Sequence, residues 1–293
     1  MRNWIGLALI ALLLTVVPLF GAPPPSGPRA SGHWQLVWSS EFNGPAGAPP
    51  PAAQWTYDRG NRRGWGNNEL ENYCAPEDHA DPCSARPNIY QDGHGHLVIQ
   101  ARRDAAGRWT SGRLKTQGLY QTSFGRIEAR MKLPLGAGLW PAFWLLGTGP
   151  GGWPAEGEID IMEHVPQLGS GTIQSTIHAA DFFGGHGLHG QATLPKGATV
   201  ASGFHTYGVI WKPGSIQFYL DHPAHPFVTL TPPTPQSSWP FDDSATDPFE
   251  ILLNLAVGGN WPGPPGATTP PTAKLLVDYV RVYKNGQTGT STL

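Results

Sequence analysis

Charge is sparse in this sequence. Only 14% of its 293 residues are charged, and the signs nearly cancel, with 19 Lys and Arg against 21 Asp and Glu. A formal net charge of −2 and a pI near 6.6 give a polyanion nothing to hold, which excludes nucleic acid as a partner. Cysteine is scarcer still. Cys74 and Cys83, in "CAPEDHADPC", are the only two, too few for a thiolate metal site; in an exported chain a pair enclosing so short a loop is expected to form a disulfide. Amphipathic stretches of helical length are missing as well, and 38 Gly and 31 Pro work against helix interiors. One long apolar run exists, "WIGLALIALLLTVVPLF", placed after Arg2 and before "GAPPPSGPRASG". It reads as a signal peptide over 1–22 and a flexible linker over 23–32, with cleavage near Ala22 or Ala30, Pro23 making the first site poor. An uncleaved membrane anchor is the alternative, although the run is short for a full span. Either way the chain is expected outside the cell, secreted or anchored.

What the sequence does have is tryptophan, 12 in all. With so few charges, that suits a neutral ligand with flat apolar faces, and sugars are the commonest such ligand; the same residues also serve as core. From residue 33 onward, short alternating runs such as "HLVIQARR", "FGRIEARMKL", "GTIQSTIHAA" and "FEILLNLAV" are cut by turn signals such as "DGHG" and "KPGS". The Pro clusters at 49–51, 232–235 and 264–271 read as loops, since strand patterns continue on both sides. The expectation is one all-β sandwich over 33–286, with a short flexible tail at 287–293. "TYGVIWKPG" followed by "SIQFYLD" is the clearest hairpin. In "LLVDYVRVYK", strict alternation puts Leu276, Asp278, Val280 and Val282 on one face, where an acid needs water or a partner such as a cation.

"EGEIDIMEH", residues 156–164, is an odd way to write a strand. Alternation puts Glu158 and Asp160 on one face and Ile159 and Ile161 on the other, but leaves Glu163 out of step. A β-bulge at Met162 or a neighbour resets the alternation and returns Glu163 to the face of the other two acids. Two glutamates on one strand flanking an Asp suit glycoside hydrolysis by two carboxyl groups. At a rise of about 3.3 Å per residue the bulge-corrected spacing suits the separation of about 5–5.5 Å that retaining enzymes need, rather than about 6.5–9.5 Å for inverting ones. Crowded negative charge raises the pKa of one member and keeps it protonated as the acid. Just upstream, "GLWPAFWLLG" places Trp140, Ala142 and Trp144 on one face, a platform on which sugar rings can stack, and Trp153 and Trp261 stand near the same acids.

"WPAFW", "WPAEGEIDIMEH", "HTYGVIW", "LNLAVGG" and "VDYVRVY" resemble the family-16 glycoside hydrolases, above all the bacterial laminarinase-like endo-β-1,3-glucanases, from about Trp34 to Tyr283. The resemblance implies a β-jelly roll with a concave substrate cleft, Glu158 as nucleophile, Glu163 as acid/base, and Asp160 between them. It also implies that Asn68 and Arg113 hydrogen-bond glucose hydroxyls, that Trp140, Trp144 and Trp261 stack on sugars, and that His178 lies near the acid/base on the leaving-group side. Glu41, Gly93 through its carbonyl and Asp278 resemble the family's structural calcium site, which stabilises rather than catalyses. His186 and His189 in "FGGHGLHG" could join His178 around a metal, but Gly-rich loops often carry such residues. The expectation is a monomeric retaining endo-β-1,3-glucanase acting on laminarin-like polysaccharide without a catalytic cofactor. The rivals are hydrolysis of another β-glycan on the same scaffold, or non-catalytic glucan recognition.

Overall fold

The computed structural model describes residues 34–83, 86–242 and 247–285. The leader and linker expected over 1–32 and the tail over 287–293 lie outside the described residues. Seventeen strands follow in chain order: β1 (Trp34–Ser40), β2 (Thr56–Tyr57), β3 (Glu71–Tyr73), β4 (Ile89–Gln91), β5 (Leu97–Arg103), β6 (Trp109–Ser111), β7 (Arg113–Lys115), β8 (Gly125–Lys132) and β9 (Leu139–Gly147) come first. Then come β10 (Glu158–Glu163), β11 (Thr172–His178), β12 (Leu188–Thr193), β13 (His205–Lys212), β14 (Ser215–Leu220), β15 (Val228–Leu230), β16 (Phe249–Val257) and β17 (Thr272–Asn285). Among the described residues there is no α-helix, only three single-turn 3₁₀ segments, as the density of Gly and Pro dictates.

The strands form two sheets. One runs β15-β14-β13-β8-β17-β5-β6-β3, with β1 also on β17 and β4 on β5; the other runs β12-β11-β10-β9-β16-β7-β2. Every named pairing is antiparallel except the short β3–β6 contact. The β13–β14 hairpin turns through Pro213 and Gly214, with Lys212 opposite Ser215, and Gly214 at φ 68° supplies the left-handed residue the two-residue turn requires. The alternating aliphatic and aromatic residues of both sheets meet in one core: Ile127, Ala129 and Met131 of β8, Val209 and Trp211 of β13, Phe143 and Leu145 of β9, and Ile251, Leu253 and Leu255 of β16. The outer face of the seven-stranded sheet is left for other work.

Alternation along β17 departs from expectation. Its register slips between Val277 and Tyr279, so Leu275 and Val277 are buried before the slip and Val280 and Val282 after it. Asp278 is therefore not an acid among three core aliphatics. It sits at a bulge with its side chain 31% exposed, beside the Arg130 guanidinium at 2.5 Å. Cys74 and Cys83 are disulfide-bonded, as their spacing implied.

Candidate active site

The bulge in β10 is real and lies between Asp160 and Glu163. Against β9, Asp160 faces Trp144 and Met162 faces Phe143; against β11, Asp160 faces Thr176 and Glu163 faces Gln174, so β10 spends one residue more than either neighbour. Both extra-step side chains, Ile161 and Met162, point into the core. A bulge leaves a peptide group out of the ladder, and here the Ile161 carbonyl accepts a 2.6 Å hydrogen bond from the buried Ser175 hydroxyl. Ser175 is the lone polar side chain on the core-facing edge of β11, between Ile173 and Ile177, and this bond accounts for it. Glu158, Asp160 and Glu163 thus share the outer face. The ladder corrects one spacing: Glu158 opposes His178 and Glu163 opposes Gln174. The two glutamates are four ladder positions apart, roughly 13 Å along the strand at about 3.3 Å per residue. Strand spacing alone does not set their separation; that depends on how the two side chains lean over Asp160.

These acids floor a cleft of about 760 Å³, inside the range of about 300–1,000 Å³ usual for ligand sites. Beside them on β9, Trp140 donates from Nε1 to Glu163 Oε1 at 3.0 Å and meets Trp261 edge to face at 5.7 Å. Trp144 donates from Nε1 to Asn254 Oδ1 at 2.8 Å. Arg113 lies between two indoles, 4.7 Å from the Trp144 ring and 4.9 Å from Trp65, and ion-pairs with Asp58 at 3.0 Å. At the other end Trp153, half exposed, meets Phe183 edge to face at 5.7 Å and stands 6.4 Å from the His178 ring. A transverse strip of indoles with carboxyls at its middle is a surface for a chain of flat-faced rings, reacting at the centre.

Burial, first, pushes all three carboxyls up, Glu158 to about 8 and Asp160 to about 7, with Glu163 well above its usual range. Their neighbours differ. Glu158 is repelled by Asp160 but favoured as an anion by His178 and Arg113. Glu163 is repelled by both Asp160 and Glu158, against which the Trp140 N–H and His178 act. Repulsion among the acids is mutual, but Arg113 favours the anion of Glu158 and does not act on Glu163, so the proton is held more tightly on Glu163 and the negative charge falls on Glu158. The His178 Nε2 is 3.2 Å from Asp160 and 3.9 Å from Glu158. It stands beside the first two acids, whereas the ladder neighbour of Glu163 is Gln174.

The profile for "Glycosyl hydrolases family 16" matches residues 77–281. The chain belongs to glycosyl hydrolase family 16. It is 40% identical over 266 residues to a beta-glucanase of Rhodothermus marinus, covering 86% of each. Its structure is similar to the catalytic domain of an endo-1,3-beta-glucanase (laminarinase) from Thermotoga petrophila RKU-1, with TM-score 0.75, 35% identity, and coverage of 87% of this chain and 100% of that one. It is likewise similar to an endo-beta-1,3-glucanase from Pyrococcus furiosus, with TM-score 0.74, 40% identity, and coverage of 87% and 95%.

Arg113, Trp140, Trp144, Trp153, His178 and Trp261 all line the cleft. Asn68 does not. It sits at the rim with φ 58° and donates to Asn260 Oδ1 at 2.8 Å, while Asn67 and Asn260 reach the cleft. Trp65, Glu69 and Asn254 line it too and were not anticipated. Asn254 had a signal: a lone amide in the apolar run "EILLNLAV", out of phase with Leu253 and Leu255. Glu69 accepts from Asn67 Nδ2 at 3.2 Å and from the Tyr73 hydroxyl at 3.1 Å, and Tyr73 accepts from Asn254 at 3.3 Å. His189 lines the cleft but forms no three-histidine cluster with His178 and His186; among the described residues the group close enough to share a cation is Glu158, Asp160 and His178. The far-sheet residues do not fit a calcium site. Arg281 holds both oxygens of Glu41 at 2.9 and 2.8 Å and Arg130 holds Asp278, so each carboxylate is already matched by a guanidinium.

Proposed function

We propose that the protein is an exported, retaining endo-hydrolase of β-1,3-glucan of the laminarin type. Glu163, protonated, gives its proton to the glycosidic oxygen while ionised Glu158 attacks the anomeric carbon, forming a covalent glycosyl-enzyme and freeing the leaving chain. Water enters, gives a proton to Glu163 as it attacks the same carbon, and Glu158 leaves, so the sugar keeps its configuration. Asp160 holds Glu158 in place. Arg113, Asn67 and Asn260 bind hydroxyls, and Trp140, Trp144, Trp153 and Trp261 stack on ring faces.

The observation that carries this reading is the bulge that turns Glu163 back to the cleft with its oxygen held by Trp140. The relatives named above, called endo-1,3-beta-glucanases, support β-1,3-glucan as the substrate. The apolar leader supports export, with anchoring as the alternative. Reducing ends released from laminarin, lichenan and agarose side by side test the assignment. Laminarin is expected to be cleaved fastest, to oligosaccharides of mixed length, and binding without release at every pH from about 4 to 10, a range that spans the raised Glu158 value, would sink it.

A further inference from the structure

We propose that Glu158, Asp160 and His178 also form a three-donor site for a borderline divalent cation, zinc or copper, and that filling it switches hydrolysis off. One atom from each residue lies within 4.8 Å of the other two. The imidazole Nε2 is 3.2 Å from Asp160 Oδ2 and 3.9 Å from Glu158 Oε1. Ligands about 2.0–2.1 Å from a tetrahedral zinc stand roughly 3.4 Å from one another, so the two measured edges bracket the required one. One nitrogen with two carboxylate oxygens suits zinc or copper, whereas magnesium and calcium prefer oxygen alone.

Two further observations point to a ligand. Asp160 is 4% exposed, yet its Oδ2 makes no aligned hydrogen bond, the His178 Nε2 at 3.2 Å being close but not in line. The His178 ring is held in one pose, because the Gly187 backbone packs on its far edge; a Cβ at Gly187 would lie 2.5 Å from Cε1 and 2.6 Å from Nδ1. Nε2 thereby stays within reach of both acids, on the cleft floor that all three residues line. A cation bound there occupies the Glu158 oxygen that must attack the sugar, so cation and glucan exclude each other. Only the inhibition rests on the assignment of Glu158 as nucleophile; the binding does not.

The test is calorimetric titration of the metal-free protein with zinc chloride, without glucan, beside initial rates on laminarin at several zinc concentrations. Binding of one zinc per chain is expected, with competitive inhibition that EDTA reverses and that equal magnesium does not cause. His178→Gln and, as a second variant should the first not fold, Asp160→Asn are each expected to weaken zinc binding at least about tenfold. His225→Ala, altering the His222–His225 pair whose rings are 6.4 Å apart on another loop, is expected to leave it unchanged. The proposal is overturned if the active wild type binds no zinc, if magnesium inhibits equally, if both site variants keep wild-type zinc affinity, or if His225→Ala abolishes binding. A wild type inactive on laminarin before any zinc is added would instead sink the hydrolase reading, while the calorimetric result would still decide the cation site.

Discussion

At the scale of single residues, the two glutamates have different losses in store. Glu158→Ala removes the attacking group and is expected to lower kcat on laminarin by at least about 10³-fold with glucan binding retained, measurable by reducing-end assay beside affinity electrophoresis. Glu163→Gln keeps an oxygen for the Trp140 N–H but has no proton to give. Its stability should move the other way. A carboxyl whose folded pKa is raised binds its proton more tightly in the native state, so its contribution is full below the unfolded value near 4.5 and is lost as pH rises through the folded one. Glu163→Gln is therefore expected to melt higher than wild type at pH 8, by an amount worth about 1–2 kcal/mol, and to lose that advantage at pH 4. Equal melting temperatures at pH 8 would contradict burial as the main cause of the shift. Activity follows from the same two groups: kcat/KM falls on the acid side as Glu158 gains its proton and on the alkaline side as Glu163 loses its own. Both limbs of the profile should lie above the range of about 4–4.5 expected of free carboxyls.

At the scale of elements, β10 and its neighbour β11 carry the outcome. Deleting Met162 would remove the extra residue and leave Glu158, Asp160 and Glu163 at strict two-residue spacing, still on the outer face, so that variant is expected to keep activity where circular dichroism still reports sheet, and a total loss would show that the bulge itself is needed. Ser175→Ala is subtler: it leaves the Ile161 carbonyl buried without a donor, a cost of about 1–3 kcal/mol, readable as a lower melting temperature together with a lower kcat. The bulge was legible in the sequence because Ile159 and Ile161 fixed which face was inside, leaving the misfit acid only one way back. The bulge in β17 was missed because Leu276 looked like core, and nothing in "LLVDYVRVYK" says that the inward phase changes at Asp278. Asn68 was misplaced for a related reason. Its loop holds Arg62, Arg63, Trp65 and Asn68 all at positive φ, and a backbone that winds in this way obeys no period from which a facing direction could be read.

At the scale of the whole molecule, the two-sheet architecture was legible from turn spacing and alternating runs, while the cleft wall was not, because Trp65, Glu69 and Asn260 reach it from loops far apart in the chain. The Cys74–Cys83 bond closes a short loop directly after β3, near that wall. Cys74→Ser with Cys83→Ser is expected to cost about 2–3 kcal/mol and to lower the melting temperature by several degrees, with an unchanged melting curve counting against any role in stability. The indole donating to Glu163 brings one more consequence, an optical one. Emission from Trp140 should change as its acceptor gains or loses charge, so intrinsic fluorescence, followed across pH and compared with Trp140→Phe, would give the proton occupancy of a single carboxyl without any substrate or label.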